Sequence, residues 1–251
     1  MADFDHVPRH GRVLPAWSLV GWKWISRNPA AAIVPVMLPF FFLYFLRLIS
    51  PPEYFPLAVA GAMLYTTQNI GSWCLTDAAA NRIELHLQEL FVASALGKVR
   101  YLVGIGVSNL IPAVPALIVE AIILAVVWPV PPAAWLVIIG CVIVLWIVFS
   151  AIGLAISTRI QSQREVWPIG NLVFSTLGVL APLYYPLSIL PPAWQAVAQF
   201  LPSTYAAKLV QGALEITPAT GDEMVLDAVL LVGSAAVALA IALRIYRWRD
   251  P

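Results

Sequence analysis

The sequence predicts an all-α membrane protein. Six transmembrane helices follow an N-terminal interfacial helix, with an amphipathic helix in one connection and re-entrant helices before the last span. Hydrophobic residues make up 61% of the 251 and charged residues 11%, whereas soluble domains sit near half apolar and a quarter charged. Mean hydropathy is +0.86. The apolar residues gather into six runs, each able to supply the ~20 residues that a crossing helix needs. From the end of the fifth run, before the sixth, five prolines (Pro182, Pro186, Pro191, Pro192 and Pro202) interrupt a stretch that stays rich in Leu, Tyr, Trp and Phe.

Residues 1–29 form a polar N-terminus and an interfacial segment, and the first apolar run comes too late for a signal peptide. Leu14–Asn28 holds Trp17, Trp22 and Trp24 with Lys23 and Arg27. Tryptophan prefers the headgroup level and cations the cytoplasmic surface, which suits an interfacial helix. Leu19 and Trp22 fall off the Trp17/Val20/Trp24 stripe, so an irregular anchor is the other reading.

The spans are placed at Ala30–Ile49, Phe55–Leu75, Tyr101–Val127, Ala133–Ser157, Trp167–Ile189 and Met224–Arg244, within a membrane domain of residues 30–244. Trp128–Pro132 makes a tight hairpin between the third and fourth. Arg9, Arg12, Lys23 and Arg27 precede the first span, and Arg82, Lys98 and Arg100 follow the second. Arg159 and Arg164 follow the fourth; Arg244, Arg247 and Arg249 lead into a basic tail at 245–251. The other side holds Arg47 and Lys208 but also Glu53, Glu215, Asp222, Glu223 and Asp227. The positive-inside rule therefore puts both termini in the cytoplasm of a multi-pass protein of the plasma membrane.

The longest cytoplasmic connection, about 77–98, is predicted to be helical. Ile83, Leu87, Leu90 and Phe91 recur at i, i+4, i+7 and i+8, with Arg82, His86 and Glu89 on another face. Gly97 and Lys98 supply stop signals. Such a helix either hugs the membrane or docks into a partner's groove, and periodicity leaves both open.

The segment from about 183 to 207 contains Pro186, Pro191, Pro192 and Pro202, just after Pro182, and these forbid one continuous helix. Broken apolar backbone at a membrane edge points to short helices packed into, or re-entering, the bilayer.

No site for chemistry assembles. Gly97-Lys98 lacks the rest of a P-loop, so the chain is expected to bind no ATP itself. His6, His10 and His86 have no metal-ligand spacing. Cys74 and Cys141 lie in apolar runs and read as packing thiols rather than a disulfide. Glu120 is the acidic residue deep within a span; it faces the bundle interior, a water-filled path or a partner, or else reaches headgroup water. Pro112 and Pro115 suggest a kink in the same span. Thr66, Thr67, Gln68, Asn69 and Ser72 make the second span polar, as Asn171, Ser175 and Thr176 do the fifth. Such groups act as interhelical glue, the commoner role, or line a conduit. The pathway candidates are Gln68, Asn69, Glu120, Asn171 and Ser175. Phe40, Phe41, Phe42, Tyr44 and Phe45 face lipid or an apolar substrate.

These features together resemble the permease subunit of an ABC-2 type transporter, the family of daunorubicin-type drug exporters and polysaccharide exporters. The segment His86-Leu-Gln-Glu-Leu-Phe-Val-Ala-Ser-Ala-Leu-Gly-Lys-Val-Arg-Tyr-Leu-Val-Gly104 resembles the family's G-T-L-E-x-L-x-x-S-P-L-x-x-x-x-Y-L-x-G stretch. Glu89, Ser94, Leu96, Tyr101, Leu102 and Gly104 coincide with it; His86-Leu87 and Ala95 depart from it. Tyr185-Pro-Leu-Ser-Ile-Leu-Pro-Pro-Ala-Trp194 with Leu201-Pro-Ser-Thr-Tyr205 is similar to its Y-P-L-x-x-L-P-x-x-W … L-P-L-T-Y signature.

The resemblance implies a half-transporter that pairs with a second copy or a paralogue, in membrane lipid and without nucleic acid. A separate ATPase subunit, using ATP and Mg, would dock on a coupling helix carrying Arg82, Ile83, His86, Leu87, Glu89, Leu90 and Phe91. Tyr185, Pro186, Pro191, Trp194 and Pro202 would belong to an extracellular gate. The expected cargo is a hydrophobic or amphipathic drug or lipid. Lipid-linked polysaccharide export, or a proton-coupled secondary transporter using Glu120, are the alternatives.

Overall fold

The computed structural model describes residues 19, 21–23, 26–49, 51–94 and 96–248. Its elements are α1 (Pro29–Ile49), α2 (Phe55–Ile83), α3 (Leu87–Ala93), α4 (Lys98–Val127) and α5 (Pro132–Ser157), then α6 (Gln163–Leu180), α7 (Pro192–Ala198), α8 (Pro202–Ala213) and α9 (Gly221–Ile245). Single 3-10 turns lie at Pro52–Tyr54 and Leu187–Ile189. All of the elements among the described residues are helical. Three of them, α4, α5 and α9, are long and apolar enough to cross a membrane, and α1 adds the shorter apolar stretch Pro39–Leu48.

The prolines explain many of the boundaries. α2, α5, α7 and α8 each carry proline at their first or second position, where the missing N–H would have no helical partner. The residue before a proline is pushed out of helical geometry. Ala181 before Pro182, Leu190 before Pro191 and Leu201 before Pro202 all have ψ between 125° and 145°. α6 therefore stops at Leu180, and the span expected to run from Trp167 to Ile189 is corrected: it starts four residues earlier and ends nine earlier. α9 starts at a capping box in which Thr220 and Glu223 satisfy each other's backbone amides.

α2 is the central helix and packs most extensively on α5, then on α4, α6, α1 and α8. Its crossing with α5 is a backbone contact: a Cβ on Gly153 would lie 2.0 Å from the Gly71 carbonyl oxygen, and one on Gly71 2.5 Å from that of Phe149. Small residues let membrane helices approach this closely, and dispersion between the backbones then holds them. The aromatic pair Phe149 and Phe174 fills the adjoining core, ring centroids 6.3 Å apart.

The expected single helix over 77–98 is also corrected. α2 runs on to Ile83, so Arg82 and Ile83 belong to it, as does Asp77. The Glu84 and Leu85 amides both close on the Ala80 carbonyl, and His86 turns the chain in a left-handed conformation, φ 50°. Only Leu87–Ala93 forms a separate helix, so Ile83 does not share a face with Leu87, Leu90 and Phe91.

Of the N-terminal interfacial segment, residues 19, 21–23, 26 and 27 are helical; Trp17 and Trp24 lie outside the described residues. Gly21 is buried against α4, where a Cβ would meet the Ser108 carbonyl at 2.6 Å.

Candidate functional site

Two ends of the bundle carry most of the polar detail. At the basic end, α2, α4, α5 and α9 bring their termini together. A helix C-terminus leaves carbonyls unpaired and carries partial negative charge, so cations suit it. Arg82, from the last turn of α2, donates to the carbonyls of Thr158 (3.0 Å), Ser157 (2.7 Å) and Ile160 at the end of α5. Lys98, the first residue of α4, donates to the Leu243 and Tyr246 carbonyls at the end of α9.

α3 is attached to that frame by its inner face. The buried Gln88 amide donates to the Arg247 carbonyl at 2.8 Å, and its Oε1 accepts from the Tyr246 hydroxyl at 3.0 Å. Burial pushes the Tyr246 phenol up, away from ionisation, so it serves as a donor. Phe91 and Trp248 both pack on the Tyr101 ring, at 5.4 Å and 5.2 Å. The outer face shows Leu85, His86, Glu89 and Leu90 exposed. His86 Nδ1 lies 3.2 Å from Glu89 Oε1, both well exposed.

The seven residues expected to contact an ATPase thus divide. Arg82 and Ile83 are at the α2 terminus, Leu87 and Phe91 are half-buried, and His86, Glu89 and Leu90 face outward. Gln88, Tyr246 and Trp248 escaped the sequence reading. Gln88 is one turn before Phe91 and Val92, so a polar residue on an inward stripe was the available signal.

The pathway candidates divide as well. Glu120 is 2% exposed and accepts from Thr66 Oγ1 at 2.8 Å, joining α4 to α2. Gln68 is 0% exposed and donates to the Phe174 carbonyl at 2.9 Å, joining α2 to α6. Asn69 is half-buried. Asn109 donates to Asp77 at 2.8 Å, another α2–α4 contact. Asn171 and Ser175, in contrast, are exposed. With Arg164 and Pro168 they form a stripe at spacings of four, three and four along α6, while Val166, Gly170, Phe174 and Gly178 on its other face are buried.

At the opposite end, Leu183 and α8 are packed into the bundle, whereas Ser188, Ile189 and most of α7 are exposed. Leu183 is fully buried, and a Cβ on Gly61 of α2 would come 2.2 Å from its carbonyl oxygen. α8 buries Ser203, Thr204, Ala206, Ala207, Leu209, Val210 and Gln211. Thr204 donates to the Ala198 carbonyl at 2.6 Å, closing α8 onto α7. Trp128 of the α4–α5 hairpin donates to the Leu214 carbonyl at 3.1 Å. Lys208 pairs with Asp227 of α9 at 2.7 Å, with Asp227 6% exposed. Of the expected gate residues, Tyr185, Pro186 and Pro202 are half-buried, whereas Pro191 and Trp194 are exposed. The helix following Leu201 continues past Tyr205 to Ala213, so Lys208 lies inside it.

Among the described residues no three His, Cys, Asp or Glu side chains gather as a metal site, and Cys74 and Cys141 are buried free thiols. No curated protein matches the chain. The model of the ABC-2 type transporter family matches residues 101–214. That range takes in nearly all of α4, all of α5 and α6, and the whole broken stretch through α8. Through residues 101–214 this chain is similar to the ABC-2 type transporter family.

Proposed function

We propose that this chain is the membrane-spanning subunit of an ATP-driven exporter. In this reading α1, α2, α4, α5, α6 and α9 are its six spans, with the basic end and both termini in the cytoplasm. Two copies, or this chain and a paralogue, enclose the path, and a separate ATPase docks on the outer face of α3. The cargo is a hydrophobic or amphipathic drug or lipid.

The observation that carries the reading is the α6 stripe. Asn171 and Ser175 sit near the middle of the helix on an exposed face. Polar groups facing hydrocarbon at that depth forgo hydrogen bonds, so such a stripe faces water or a second chain. Glu120 and Gln68 each give one side-chain atom to a contact between helices, which suits a structural part, although Glu120 Oε2 and Gln68 Oε1 are buried without a hydrogen-bond partner. The exposed aromatic rings of α1, Phe40 to Phe45, suit lipid or an apolar cargo.

At the basic end, Leu85 and Leu90 beside the His86–Glu89 pair offer an apolar patch with polar edges, suited to a groove on a partner. Coupling requires that the partner bind α3 differently in its two nucleotide states.

The test is cysteine accessibility in the assembled, membrane-embedded complex. Asn171→Cys and Ser175→Cys should react with a hydrophilic thiol reagent in an ATP-dependent way, while Cys74 and Cys141 stay silent. Absence of labelling at both positions in every nucleotide state would refute the pathway assignment. Transport that persists without the ATPase but stops in Glu120→Gln would instead establish the proton-coupled alternative.

A further inference from the structure

Arg82, Arg159 and Arg247 come from three distant stretches: the end of α2, the turn after α5 and the tail after α9. They line one depression of about 420 Å³ together with Ile83, Ile160 and Gln161, and no acidic residue lines it. The ion pairs among the described residues are His86–Glu89 and Lys208–Asp227, so none of the three guanidiniums has a carboxylate partner there. Arg82 is fixed in place by three carbonyls, which take both Nη2 hydrogens and one on Nη1 and leave its remaining donors free of those contacts. Arg159 and Arg247 are exposed.

Arginine remains charged at any working pH, and like charges brought into one concavity repel. No run of basic sequence gathers these residues; the fold does. An anion in the depression would relieve the repulsion, and guanidinium forks match phosphate oxygens in bidentate geometry.

We propose that this depression binds a phosphate group, presented by an anionic phospholipid headgroup at the adjoining membrane surface or free in solution. The position fits a headgroup: the site lies where helices end, and Ile83 and Ile160 give it an apolar wall. The occupant also reaches the coupling element, because the carbonyl of Arg247 holds Gln88 of α3. A phosphate clasped by Arg82, Arg159 and Arg247 joins α2, the α5 terminus and the tail, and so steadies the mount of α3. Phosphate binding goes beyond the exporter reading and does not depend on it, whereas the coupling role given to α3 rests on that reading.

The experiment measures the thermal unfolding midpoint of the purified full-length protein with phosphatidylglycerol, phosphatidylcholine or inorganic phosphate added. Native mass spectrometry reads retained lipid in parallel. Arg159→Gln/Arg247→Gln is the test variant, with Arg82 left alone because it caps α5; Arg244→Gln, outside the depression, is the control. Phosphatidylglycerol should raise the midpoint of the wild type and the control, phosphatidylcholine should not, and the double variant should lose most of the rise and the retained lipid. An equal rise with inorganic phosphate, lost in the same variant, assigns the site to a soluble phosphate. No rise in the wild type, or an undiminished one in the double variant, overturns the proposal. So does a normal lipid response accompanied by loss of ATPase binding, which would give the arginines to an acidic protein face.

Discussion

The two ends of the bundle both use short helices, but they hold them by different physics. At the basic end, α3 buries a single residue, Gln88. Its attachment is a few hydrogen bonds to the tail and one ring cluster around Tyr101. At the broken end, α7 also buries a single residue, Ala198, but α8 buries seven, and Leu183 presses backbone to backbone on Gly61. The first arrangement opens locally at small cost, because few apolar contacts must break. The second cannot move without disturbing the core.

Four variants test this contrast. The largest effect is expected from Gly61→Leu, whose side chain has no room beside the Leu183 carbonyl; overpacking of this kind costs ~1–3 kcal/mol or more. The thermal midpoint in detergent should fall sharply or the folded protein be lost, and an unchanged midpoint would show that the broken end is loosely held. Lys208→Met leaves the buried Asp227 carboxylate unpaired. Loss of one partner in a fully buried pair costs ~3–5 kcal/mol, and because Lys208 is 39% exposed the expected loss is nearer ~1–2 kcal/mol. Asp227→Leu in the same chain should restore part of it, and a double-mutant cycle gives the coupling.

At the basic end the effects should be smaller and local. Gln88→Ala removes one partner of the Tyr246 hydroxyl and frees the tail, worth ~1 kcal/mol at that site. Hydrogen exchange should accelerate in α3 and residues 246–248 while the global midpoint hardly moves. A large fall in the midpoint would mean that α3 is part of the core. Least of all should Glu89→Lys with Leu90→Ser affect stability, within about 0.5 kcal/mol for exposed positions. Co-purification of the ATPase should nevertheless be lost, and retained association would remove α3 as its dock. Charge reversal at Arg82 is a poorer probe of docking than its sequence suggests, because it would first uncap α5.

What could be read without coordinates followed the range of the interactions involved. Apolar runs act within a few residues, and α1, α4, α5 and α9 start and stop within three residues of their expected places. The errors came where one residue has two possible local effects. The period joining Ile83 to Phe91 matched a helix, yet the chain turns at His86. Asn171 and Ser175 were identified together with Gln68 and Glu120, since side-chain polarity alone does not tell which face of a helix is covered.

The sequence by itself determined an all-helical membrane protein, its basic and acidic ends, and the broken stretch before α9. Transfer free energy and backbone sterics act on each segment separately, so these properties needed no partner. Tertiary structure alone decided that Arg82 caps a helix 75 to 78 positions away, that Gln88 grips the tail, and that Glu120 turns inward to Thr66. It also brought three scattered arginines around one depression. Each of these depends on which helices pack together, and that choice is made by close contacts such as Gly71 on Gly153, where the whole chain has to be in place before either glycine has a role.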